Sequence, residues 1–137
     1  MIDQDFNFHD LFILDLANNH QGSVEHGLRI IQSMAEVVQR HQVRAAIKFQ
    51  FRQLDTFIHT GHQSNSELKY IQRFQSTRLD QAQFQTLLNE VWAQGLLAMC
   101  TPFDEESVNI AVDMGFNVLK VASCSAKDWP LLEEIAG

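Results

Sequence analysis

At 137 residues and 45% apolar content the chain is long enough to bury one ordinary core and too short for two domains. Ten Lys and Arg against seventeen Asp and Glu give a formal charge of −7, which excludes nucleic acid or an anionic membrane surface as the main partner; any bound anion must be held by local positive charge. The apolar stretch from Leu11 to Leu14 is bracketed by Asp10 and Asp15, far short of the roughly 20 residues of a membrane span, and no basic segment precedes it, so a cytoplasmic protein without a membrane partner is expected.

The first strand is predicted over Phe12 to Leu16, followed by a turn carrying Asn18, Asn19 and His20. His20 is read as fixing that turn by hydrogen bonding rather than as a metal ligand or proton shuttle. Ser23 caps a helix reaching about His41, with Val24, Leu28, Ile31, Ala35 and Val38 on one face. A second strand spans Ala45 to Phe51. Residues 52–78, rich in Gln, His and Ser, are too long for an ordinary connection; a short helix is expected from Glu67 to Phe74, and the stretch is read as a flap over a strand-end site. Asp80 and Gln83 form a capping box, with Leu79 and Phe84 at the staple positions, and Gly95 stops the helix. A third strand runs from Leu96 to Cys100. Asp104 caps the next helix, Glu105 and Glu106 sit in its first turn, and Gly115 ends it. The fourth strand is Val118 to Ala122, and Pro130 opens a last helix. Cys100 and Cys124 have neither CxxC nor zinc spacing and are expected as reduced thiols; no HxxxH or HExxH pattern is present, and no residue is assigned as a metal ligand.

Strands alternating with helices predict an α/β chain of parallel (β/α) units, either doubly wound or half of a barrel. No GxGxxG follows the first strand, whereas polar residues gather at the C-terminal ends of all four, where a barrel keeps its chemistry. The expectation is the first half of a TIM-type (β/α)8 barrel, with residues 1–137 the N-terminal part of one barrel domain that a complete barrel of about 250 residues would finish. The open edges predict either a homo-oligomer or completion by the remainder of a longer chain.

Lys48 and Lys120 each stand inside an apolar strand-like run with no acid in the run. An unpaired ammonium there costs several kcal/mol of desolvation, so both are expected to face one polar pocket holding an anion. Alternation puts Lys48 and Gln50 on one face, away from Ile47, Phe49 and Phe51. Two lysines converging to about 6 Å would repel by roughly 3 kcal/mol at an effective dielectric near 20, a term that a phosphate reverses with help from hydroxyls such as Thr101 and Ser123.

Four segments then carry a likeness. Asn19-His20-Gln21-Gly22-Ser23 resembles the NHxGS segment of the N-acetylneuraminate (sialic acid) synthase family, Ile47-Lys48-Phe49-Gln50 its VKFQ strand, Thr101-Pro102-Phe103-Asp104 its STPFD segment, and Leu119 to Ser123 its YKIxS segment. The resemblance implies a barrel that condenses phosphoenolpyruvate with an N-acylated amino sugar of the N-acylmannosamine type, forming a nine-carbon 2-keto acid and releasing phosphate. It implies that Lys48, Thr101, Lys120 and Ser123 surround phosphoenolpyruvate, with Lys48 and Lys120 as the catalytic cations and Asn19 and Gln50 among the substrate contacts. It also implies a divalent metal, Mn or Mg, with ligands outside this chain. Two departures fall on the acceptor side: Asp15 stands for the family's strand-one glutamate, and Ser125 for the glutamate of its GSGE segment. They imply a different acceptor sugar or a non-catalytic half-barrel binding a sugar phosphate or a partner chain. A Schiff-base aldolase using Lys48 or Lys120 is the third reading.

Overall fold

The computed structural model describes residues 6–64 and 67–137. Four parallel strands, β1 (Leu11–Asp15), β2 (Arg44–Phe51), β3 (Leu97–Pro102) and β4 (Val118–Leu119), lie side by side in chain order. Helices α1 (Val24–His41), α4 (Gln81–Ala93) and α5 (Glu105–Asp113) make the crossovers, α2 (Leu54–Phe57) and α3 (Lys69–Ser76) lie within residues 52–78, and α6 (Trp129–Ala136) follows β4. Parallel neighbours need such crossovers, and a sheet in strict sequence order with its helices is half of a (β/α)8 barrel.

The core lies on one face of the sheet. Ile47, Phe49 and Phe51 of β2, with Ala98 and Cys100 of β3, meet Ile31, Ala35 and Val38 of α1 and Leu87, Leu88 and Val91 of α4 in one buried cluster. Phe49, 1% exposed, holds the rings of Phe84 and Phe116 at centroid distances of 6.4 and 5.3 Å, edge-on in both cases. Helices α1 and α4 approach closely at Gly27, where a Cβ would stand 2.8 Å from Leu87 Cδ2.

Local signals set the helix starts. The Ser23 hydroxyl accepts the His26 N–H at 3.2 Å, and Asp80 and Gln83 exchange both arms of a capping box at 2.8 and 2.9 Å. Asp104 accepts the Ser107 N–H on one oxygen and the Gln53 N–H on the other, each at 2.8 Å, so one carboxylate both caps α5 and ties down the start of the 52–78 segment. Each such cap is worth about 1 kcal/mol.

The first strand is shifted by one residue and the third runs on to Pro102, and two further elements differ from expectation. The helix expected from Glu67 to Phe74 runs two residues later, and the fourth strand ends at Leu119 rather than Ala122. The Lys120 N–H still donates to Cys100 O at 2.8 Å; beyond it, turn bonds from Ser125 N–H to Ala122 O and from Asp128 N–H to Ser125 O take the backbone out of the sheet. Among the described residues no helix is long and apolar enough to cross a membrane.

Candidate functional site

Strand register places the predicted residues. Asp15 pairs with Lys48, Lys48 with Met99 and Met99 with Val118, while Gln50 pairs with Thr101. The Lys120 backbone bond to Cys100 extends that second row to Lys120. Residues in register share a face, so Lys48, Gln50, Thr101 and Lys120 all stand opposite the face that carries Phe49 and Cys100. Two strands and two residues separate the lysines, which puts their Cα atoms about 12 Å apart.

Lys48 has an acid that a run-by-run reading cannot see. Its Nζ lies 2.6 Å from Asp15 Oδ1 on the adjacent strand, with the lysine side chain 13% exposed, which corrects the expectation of an ammonium without a carboxylate. Lys120 is exposed and its Nζ donates to Val121 O at 3.3 Å, so the two ammonium groups have separate partners. Asn19 donates its side-chain amide to Asp15 O at 3.2 Å, fixing the β1–α1 turn beside that ion pair. Thr101 is 3% exposed and its Oγ1 has no hydrogen-bond partner among the described residues. Such an orphaned hydroxyl costs about 1–3 kcal/mol unless a ligand satisfies it. Ser123 is exposed, and Ser125 is buried with its hydroxyl 3.9 Å from the Cys124 thiol.

His20 does fix its loop. Fully buried, it accepts the Gly22 N–H on Nδ1 at 3.1 Å and sets its ring edge-on to Phe84. Burial, aided by the charge of His26, holds its pKa below the usual histidine value, so the neutral ring that this bond requires is the favoured form.

Sequence reading missed Arg52. Next on the same parity after Lys48 and Gln50, it stacks its guanidinium 3.7 Å from the Phe103 centroid and 4.5 Å from that of Phe74, with Phe57 at 5.9 Å. Its Nη1 donates to Gln50 Oε1 at 3.2 Å, and its Nε is buried with no partner among the described residues. Burial pulls its pKa down while Cys124 and Asp104 push the other way. The three rings come from three separate segments; the only local signal was the arginine closing an alternating Lys-Gln-Arg face. Arg52 and Gln50 also line a cavity of about 320 Å³ between β2, residues 52–78, α4 and α5, with Phe51, Phe84, Ile110 and Met114 among its walls. Lys48, Thr101 and Lys120 do not line it.

Among the described residues no group of three or more His, Cys, Asp or Glu side chains is placed to hold a metal ion. The donor set needed for a resident metal is therefore not met within them.

Comparison with known proteins places these residues in context. The model of the NeuB family matches residues 36–137. A structure described as spore coat polysaccharide biosynthesis protein E of Chromobacterium violaceum is 48% identical with a TM-score of 0.89, covering 93% of this chain and 38% of its own. The N-acetylneuraminic acid synthetase of Leptospira borgpetersenii, solved with citrate, is 26% identical with a TM-score of 0.76, covering 93% and 40%. An uncharacterised protein of Methanocaldococcus jannaschii is 27% identical over 118 residues, 86% of this chain and 32% of that protein. The chain thus spans about a third to two-fifths of the length of these relatives.

Proposed function

The chain belongs to the NeuB family, and from that premise we propose that it forms the phosphoenolpyruvate-binding wall of a sugar-acid synthase. The likeness to a sialic acid synthetase supports a sugar-acid-synthase-like function; the donor, the acceptor and the residue roles are our reading. The observation that carries it is Thr101: a buried hydroxyl without a partner, on the face of Lys48 and in the row of Gln50 and Lys120.

In this reading Thr101 Oγ1 donates to a phosphate oxygen, and Lys120, with no carboxylate partner among the described residues, turns from Val121 O to the same group. Lys48 stays between Asp15 and the enolpyruvate, its charge shared by two anions, and Ser123 adds a hydroxyl at the end of β4. The C3 carbon of phosphoenolpyruvate bonds to the aldehyde carbon of an N-acylated amino sugar, water adds at C2, and phosphate leaves. Asp15, shorter than glutamate and engaged with Lys48, and Ser125, buried behind Ser123, give the acceptor side less acidic reach. An acceptor other than N-acylmannosamine fits that loss. A divalent metal would be held by residues other than the described ones, and further chain or a second copy would complete the barrel.

The Schiff-base reading fares less well, because that chemistry needs a desolvated neutral amine, while Lys48 is ion-paired and Lys120 is exposed. Phosphoenolpyruvate at millimolar concentration is expected to raise the melting temperature of the intact protein, and Thr101→Val to weaken its binding roughly tenfold or more, the range of a hydrogen bond to a charged group. Calorimetry checks both. An unchanged melting temperature, or equal stabilisation by an unrelated phosphomonoester, would remove the synthase reading. A 2-keto sugar acid formed from phosphoenolpyruvate and an N-acylated amino sugar would exclude the binding-only alternative.

A further inference from the structure

We propose that the cavity of about 320 Å³ beside Arg52 is a second ligand site, taking a small carboxylate with an apolar body whose carboxylate sits on the Nε–Nη2 edge of the guanidinium.

The argument begins with how little freedom Arg52 has. Phe103 and Phe74 fix its plane, and Gln50 Oε1 takes Nη1, so the fork edge that remains is the one between Nε and Nη2. Nε on that edge is buried without an acceptor, and no hydrogen bond leaves Nη2 among the described residues. The nearest carboxylate does not supply one: both oxygens of Asp104 are engaged by backbone N–H groups of Gln53 and Ser107. A half-buried guanidinium with one edge unpaired matches the planar two-oxygen geometry of a carboxylate.

The cavity supplies the other half of the recognition. Its volume falls within the range of small-molecule sites, and Phe51, Phe84, Ile110 and Met114 give it apolar walls. Asp80 and Glu106 also line it, and the lining Arg78 is already paired with Asp55, so a dianion such as a phosphomonoester meets two like charges where a monoanion meets them more weakly. Phe74 both lines the cavity and stacks on Arg52, which makes residues 52–78 part of the site's wall. Of the lysine face only Gln50 reaches the lining, where it holds Arg52; Lys48, Thr101 and Lys120 lie outside it.

The test is methyl NMR on the intact protein with labelled Ile, Met and Val methyls, titrated with benzoate, phenyl phosphate and benzyl alcohol. Benzoate is expected to shift Met114 and Ile110 saturably, with phenyl phosphate and benzyl alcohol weaker by roughly tenfold or more, and Arg52→Gln is expected to bring benzoate down to the level of the alcohol. Should Arg52→Gln unfold, Ile110→Trp fills the cavity from α5 and is expected to abolish the same shifts. Phosphoenolpyruvate is followed separately in the wild type at Met99 and Val118 of the lysine face, so either site can fail while the other stands. Benzoate shifts confined to Met99 and Val118, or benzoate binding unchanged in both variants, would overturn the proposal.

Discussion

Residues 52–78 and the sheet-and-helix body are held by different forces. The body buries a continuous cluster centred on Phe49, Leu87, Leu88 and Val91, whereas among the described residues of 52–78 only Ile58 is buried. Inside that segment Arg52 stacks on Phe74 and Arg78 pairs bidentately with Asp55 at 2.9 and 2.8 Å, while point contacts attach it to the body: Arg52 against Phe103, the Gln53 N–H on Asp104, and Ser76 O lying over Gly22. Area burial adds up over a whole layer, while a handful of polar and stacking contacts does not. The segment is therefore expected to open at far lower free energy than the body unfolds.

The sharpest way to break this contrast is at its apolar end. Phe49→Ala removes a fully buried ring in contact with three others and is expected to cost about 3–5 kcal/mol, seen as a lower urea midpoint with both regions lost together. Gly22→Ala acts on the seam: φ is +75° there and a Cβ would fall 2.7 Å from Ser76 O, so a loss of about 1–2 kcal/mol is expected, with hydrogen exchange quickening across 67–78 before the sheet. Acid sharpens the body's side. His20 is neutral in the fold with its pKa below the unfolded value of 6.5, so its contribution is complete above pH 6.5 and is lost as pH falls through the folded value. The urea midpoint should drop from neutral pH to about pH 5, and His20→Gln should flatten that slope. Smallest of all, Arg78→Ala is expected to leave the urea midpoint unchanged while quickening exchange in α2, because its partner Asp55 is fully exposed.

What could be read from the chain divides along the same line. Ser23, the Asp80–Gln83 box and Asp104 act within three residues of themselves, so each helix start was legible. The parity that separates Lys48 and Gln50 from Phe49 and Phe51 was legible too, since a period of two belongs to the strand alone. Asp15 as the partner of Lys48 was not, because 33 residues separate them in the numbering and only the parallel register of β1 on β2 brings them opposite. Arg52 failed for the same reason twice over, its two nearest rings arriving from Phe74 and Phe103. The early end of β4 was hidden because the apolar run continues through Val121 and Ala122 after turn bonding has begun.

Cys100 is sealed in the core, where burial pushes its thiol far above the usual range, while Cys124 is exposed and close enough to Arg52 to act on its charge. A maleimide dye therefore has a single accessible handle among the two cysteines, within electrostatic range of the stacked arginine. Fluorescence from that position would report when Arg52 and Phe74 part, in native protein and without any engineered substitution.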